Sequence, residues 1–188
     1  MLLLTLVASA WLTGRIYGSR EPLKLAYLLA AVLLLGSVLS GGMPQAHRRR
    51  GKHPLVGPAL TGAVLFVWTL VSGSVARLVP AVDRAVEEVL RQSDAGSTLA
   101  LVAALTVAGV AEEVFYRGAW FERVRLPIVT ATVAHMLSTL PAGNVALTAA
   151  AGMIGGACGL SRRTSGGWFA PAVVHVTWSL LVVAFLPR

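Results

Sequence analysis

Charge is scarce in this sequence. Only 13% of its 188 residues are Asp, Glu, Lys or Arg, against about a quarter in an ordinary soluble domain. Hydrophobic residues make up 56% and the mean hydropathy is +0.74, which excludes most soluble folds. Acid is scarcer still, with eight Asp and Glu against 16 Lys and Arg, a formal charge of +8. A nucleic-acid binder of that charge would need a polar surface to carry its basic stripe. Here the chain between the charges is lipid-like, and no nucleic-acid partner is expected. Lysine is almost missing: 14 of the 16 basic residues are Arg, a bias found in GC-rich bacterial genomes. The single cysteine, Cys158, excludes an intrachain disulfide and a cysteine-based metal cluster. Set among glycines, it reads as a packing residue. With no repeat, low-complexity run or soluble segment, residues 1–188 read as one membrane domain.

What is present is apolar sequence in helix-sized pieces. Prolines, glycines and charge clusters cut it at about 2–18, 25–42, 55–79, 98–120, 127–140, 144–160 and 168–186. Most of these approach the ~20 residues of a spanning helix, so the expected fold is all-α, a polytopic transmembrane bundle of about seven spans. The 127–140 piece is short, at about 20 Å. Segment 81–93 differs. Val82, Val86, Val89 and Leu90 share one helical face while Asp83, Glu87, Glu88 and Arg91 face away, the pattern of a helix lying on the membrane surface. The N-terminal piece has no basic residues before its leucines and reads as a first span, not a cleaved signal. Arg48, Arg49, Arg50 and Lys52 are the densest basic cluster and mark the loop after the second span as cytoplasmic. Seven spans then put the N-terminus inside and the C-terminus outside, in a multi-pass protein of a bacterial cell (plasma) membrane. Gly152-xxx-Gly156 overlaps Gly155-xxx-Gly159, a spacing that lets membrane helices approach closely. Packing inside the bundle is the main reading, and a dimer through the Gly152–Gly159 face is the second.

Ionisable side chains inside these pieces narrow the search, since each costs ~2.5–3.5 kcal/mol or more at mid-membrane. Glu112 and Glu113 stand together in the fourth span, His135 is in the fifth and His175 in the seventh. His47 and His53, in the basic loop, read as solvated. Neighbours on a helix point about 100° apart, so the two glutamates cannot share one role. Glu113 and Arg117 are four residues apart and can pair, which leaves Glu112 free with Tyr116 one turn below it. Counted along their helices, Glu112, His135 and His175 lie about 8, 12 and 10 Å from the cytoplasmic interface. One carboxylate and two imidazoles at a common depth suit hydrolysis. Glu112 could activate a water, and the histidines could bind a metal such as zinc or stabilise an oxyanion. The short zinc motif H-E-x-x-H is absent. Ser161 and Ser165, beside Arg162 and Arg163 in an expected loop, lack the Gly-x-Ser-Gly context of a serine mechanism.

The run Glu112-Glu113-Val114-Phe115-Tyr116-Arg117 reads E-E-x-x-x-R. It resembles the first motif of the glutamate-type CAAX-processing and bacteriocin-processing intramembrane proteases, the CPBP or ABI family. The family's second motif, F-x-x-x-H, is met by His135 with Ala131 in the place of Phe. Its third, His followed four residues on by Asn or Asp, is met by His175 with Ser179. The resemblance covers 98–187, a CPBP-like catalytic core, while the first three spans add general membrane character. It implies a peptidase of the CAAX prenyl protease 2 type, with Glu112 activating the water and Glu113 and Arg117 organising the site. His135 would position the water, and His175 with Ser179 would stabilise the oxyanion. A metal is left open by the resemblance; if one is used, Glu112, His135 and His175 would hold it. The implied partners are membrane lipid and a hydrophobic or lipidated peptide. An inactive scaffold or bacteriocin self-immunity protein is the alternative, favoured by Ser179. An intramembrane acid also suits a small transporter, but no inverted repeat supports that reading.

Overall fold

Helix boundaries in the chain follow local chemistry. Pro22 and Pro127 open helices at a position where the missing N–H costs nothing. Ser97 and Asn144 cap two others, accepting from the backbone N–H of Ala100 at 3.2 Å and Leu147 at 3.0 Å. Gly166, at φ 78°, ends another in the left-handed conformation that glycine adopts without strain. The computed structural model describes residues 1–16, 18–41, 55–92 and 97–185. Among them it contains α1 (Leu2–Ile16), α2 (Pro22–Leu39), α3 (Val56–Ala76), α4 (Pro80–Gln92), α5 (Thr98–Glu113), α6 (Pro127–Thr139), α7 (Val145–Ser165) and α8 (Phe169–Phe185). The basic cluster Arg48–Lys52, on which the orientation rests, lies outside the described residues, as do His47 and His53.

The protein is an all-α membrane helix bundle. Four stretches are long and apolar enough to cross a bilayer: Pro22–Leu39, Val56–Ala76, Thr98–Trp120 and Val145–Ser165. Leu2–Ile16 and Phe169–Phe185 are shorter apolar helices. Large apolar side chains face outward along them, Leu3, Val64 and Trp68 among these. In a water-soluble protein such an outer surface would be an aggregation hazard.

Six helices close a ring, α1 on α2, α2 on α5, α5 on α8, α8 on α7, α7 on α6, and α6 back on α1. Helix α3 packs outside it against α8, and α4 against α7. The first two helices therefore do more than supply membrane character: without them the ring is open. Close approach depends on small residues at two seams. A Cβ at Gly36 would collide with Thr5 of α1. On α7, Cβ atoms at Gly152, Gly155 and Gly159 would come within about 3 Å of Met136, Thr132 and Ile128, one face of α6. Those three glycines are thus covered within the chain, whereas Gly156 has nothing within 4 Å.

Three local features differ from the sequence reading. Helix α7 runs on to Ser165, so Ser161, Arg162 and Arg163 are helical and not in a loop. Glu88, expected to face away, accepts from Asn144 Nδ2 at 3.0 Å, and the same nitrogen donates to the Ala85 carbonyl at 2.8 Å. One asparagine thus caps α7 and fastens the amphipathic helix to it. Arg77 Nε donates to Asp83 at 2.6 Å at the other end of α4, which raises the guanidinium pKa further. Third, the 98–120 span is not α-helical throughout. After Glu113 the chain widens into a π-helical segment, Val114–Trp120.

Candidate active site

The E-E-x-x-x-R run straddles this change of helix type. π-helical turns are rare and recur at functional sites, and uniform helix periodicity gives no warning of one. All seven residues of the segment are buried. Phe115, Tyr116 and Trp120 pack with Leu29, Leu33 and the small Ala131 and Ala134. Ala131, wholly buried, lies in this aromatic cluster, in the position where the family motif has its own aromatic.

The two glutamates diverge as their spacing predicts, and then meet again on one imidazole. Glu113 Oε1 lies 3.2 Å from Arg117 Nη1 and 3.0 Å from His175 Nδ1. Glu112 Oε2 lies 3.2 Å from His135 Nε2 and 3.8 Å from His175 Nε2. His175 is thus held at Nδ1 by one acid and faces the other with Nε2. His135 is stacked on Tyr116, with ring centroids 4.7 Å apart and planes 22° from parallel. The side chains of Glu113 and Arg117 are fully inaccessible, while Glu112 keeps 20% exposure.

That exposure opens on a cavity of about 240 Å³ inside the helix ring. Glu112, Tyr116, His135, His175 and Ser179 line it together with Ser9 and Thr13 of α1. Of the six expected site residues, four therefore reach the cavity, and Glu113 and Arg117 stand behind them. Ser9 and Thr13 are contributions the sequence reading missed. Their signal was legible: Thr5, Ser9 and Thr13 recur every four residues in a leucine-rich helix, and all three are buried.

Several buried polar atoms around the pair have no protein partner: Glu113 Oε2, Arg117 Nε and Nη2, and His135 Nδ1. In a low-dielectric interior such groups are costly unless water or a ligand meets them. As to a metal, among the described residues no group of three His, Cys, Asp or Glu is arranged so that it could hold one. Glu112, His135 and His175 approach one another directly.

A carboxylate flanked by two imidazoles stands at the wall of a cavity with room for several waters, within a membrane helix bundle, an arrangement able to bind and polarise a water. Residues 94–181 match the family described as Type II CAAX prenyl endopeptidase Rce1-like. This part of the chain, which carries all three motifs, is similar to the CPBP family of CAAX-type intramembrane proteases. No curated protein and no solved structure matches the chain.

Proposed function

We propose that the chain is an intramembrane endopeptidase that cleaves a hydrophobic or lipid-anchored peptide with a water activated by Glu112. The observation that carries this reading is Glu112 at the cavity wall, 3.2 Å from His135 and 3.8 Å from His175. Glu112 takes a proton from the water as its oxygen attacks the scissile carbonyl carbon. It returns that proton to the departing amine as the C–N bond breaks. His135, held flat against Tyr116, orients the water. Glu113 accepts from His175 Nδ1–H, which fixes the ring and aims Nε2 at the cavity. In its imidazolium form that nitrogen donates to the oxyanion, with the Ser179 hydroxyl as a second donor. Arg117 balances the charge of Glu113. The setting that fits the arginine bias is a bacterial cell membrane, with cleavage near the cytoplasmic face. Bacteriocin-type peptides then suit that setting better than prenylated ones.

The test is cleavage of a fluorogenic hydrophobic peptide by the purified protein in detergent. Glu112→Ala is expected to lower the rate ~10²- to 10⁴-fold while the protein elutes as the same monodisperse particle. Undiminished cleavage by that variant overturns the mechanism. Ser179, where the family pattern has Asn or Asp, favours a second reading, a membrane scaffold or self-immunity protein that binds without turnover. Complementing a null strain with Glu112→Gln separates them, because a binder tolerates the swap and a peptidase does not.

A further inference from the structure

The carbonyls at the end of the π segment have no helix beyond them to supply N–H donors, so each must find a partner elsewhere. Gly118 is met by the backbone N–H of Glu122 at 3.3 Å and Trp120 by that of Arg123 at 3.0 Å. Side chains meet the other two. Arg123 Nη1 donates to the Ala119 carbonyl at 2.8 Å, from within the same connection. Arg162 Nε donates to the Arg117 carbonyl at 2.6 Å, and this bond crosses between helices. Its Nη2 reaches Glu122 Oε1 at 3.3 Å, and its guanidinium lies 5.2 Å from the centre of the Phe121 ring. The Arg162 side chain is only 12% exposed. One guanidinium from α7 thus grips the π segment at the residue whose own side chain holds Glu113, and Glu113 holds His175.

We propose that Arg162 is a positioning residue for the hydrolytic site, fixing the π segment through the Arg117 carbonyl so that Glu113 keeps His175 facing Glu112. This rests on the hydrolytic reading above. The planar fork of arginine suits the task, because it addresses a carbonyl and a carboxylate at once and stacks on an aromatic ring. A lysine ammonium can satisfy one acceptor without fixing its direction. Misplacement of reacting groups by about 1 Å costs up to ~100-fold in rate, so the bond acts on turnover rather than on substrate capture.

Steady-state cleavage of the same peptide by Arg162→Gln, Arg162→Lys and Arg123→Gln tests this, with kcat expressed per folded molecule from the unfolding curve of each variant. Arg162→Gln is expected to lower kcat ~10- to 100-fold with KM within about twofold, Arg162→Lys to recover part of the loss, and Arg123→Gln to fall less than Arg162→Gln. If Arg162→Gln does not fold, the comparison of Arg162→Lys with Glu122→Gln takes its place. Glu122→Gln keeps the carbonyl bond and should retain more of kcat than Arg162→Lys. Wild-type kcat per folded molecule in the Arg162 variants, or equal losses at Arg162 and Arg123, overturns the proposal. Inactive Glu112→Ala beside unimpaired Arg162→Gln would refute the positioning role alone, and active Glu112→Ala would refute the hydrolytic site itself.

Discussion

The two halves of the chain bury polar groups in different ways. In α1 to α3 these are hydroxyls, and each turns back on its own helix. Ser9 bonds the Leu6 carbonyl at 2.8 Å, Thr13 that of Ser9 at 2.9 Å and Ser37 that of Leu33 at 2.8 Å. In α5 to α8 the buried polar groups include Glu113, Arg117, His135 and His175. Beside the local pair of Glu113 and Arg117, their partners lie on other helices: Glu112 with His135, and Glu113 with His175. A hydroxyl satisfied by its own backbone can be buried wherever the helix goes. An ionised group satisfied across helices ties several helices to one point, and its remaining capacity can be offered to a substrate. The first arrangement suits a bundle, and the second suits a candidate site.

The contrast can be broken most severely at Arg117. Arg117→Met leaves Glu113 in the interior with His175 as its remaining partner, and loss of one member of a buried ion pair costs ~3–5 kcal/mol. A markedly lowered unfolding temperature in detergent, together with loss of cleavage, is expected; unchanged unfolding would mean that the pair contributes nothing to the fold. A middle-sized effect is expected at the seam that carries His135 to the site. A side chain at Gly155 meets Thr132, including its backbone Cα at 3.2 Å, so Gly155→Val should cost ~1–3 kcal/mol by overpacking. Gly156→Ala, facing open space, should be neutral or slightly stabilising through helix propensity, by up to ~1 kcal/mol. Thermal unfolding of the two variants checks the pair. The smallest effect belongs to the first half. Ser37→Ala removes a bond to a carbonyl that the helix already employs, and should change stability by about 0.5 kcal/mol or less. A loss as large as that at Arg117 would erase the distinction between the halves.

Much of this was legible in the sequence. Proline, glycine and charge fall where helices begin and end, so the apolar pieces reappear as helices with ends shifted by a few residues. The i,i+4 pair of Glu113 and Arg117 was readable because its geometry is local to one segment. The π-helical turn was not readable, since a widened turn leaves no periodic mark in seven residues. Nor was Arg162 as a partner of Arg117, because a side chain 45 residues away meets it only once α7 has extended and docked. The contribution of α1 was half visible: its hydroxyl stripe stands in the sequence, but the helix it would face does not.

Sequence alone, then, determined that the few acids matter. Burying charge in an apolar chain is costly enough that Glu112, Glu113, His135 and His175 stand out without any coordinates. Tertiary structure decided which atoms meet. Only packing brought both nitrogens of His175 between the two neighbouring glutamates and closed six helices around a cavity. Helical spacing fixes directions within one segment, whereas distances between segments depend on how closely their surfaces fit, and here that is set by glycines and by side chains far apart in the chain.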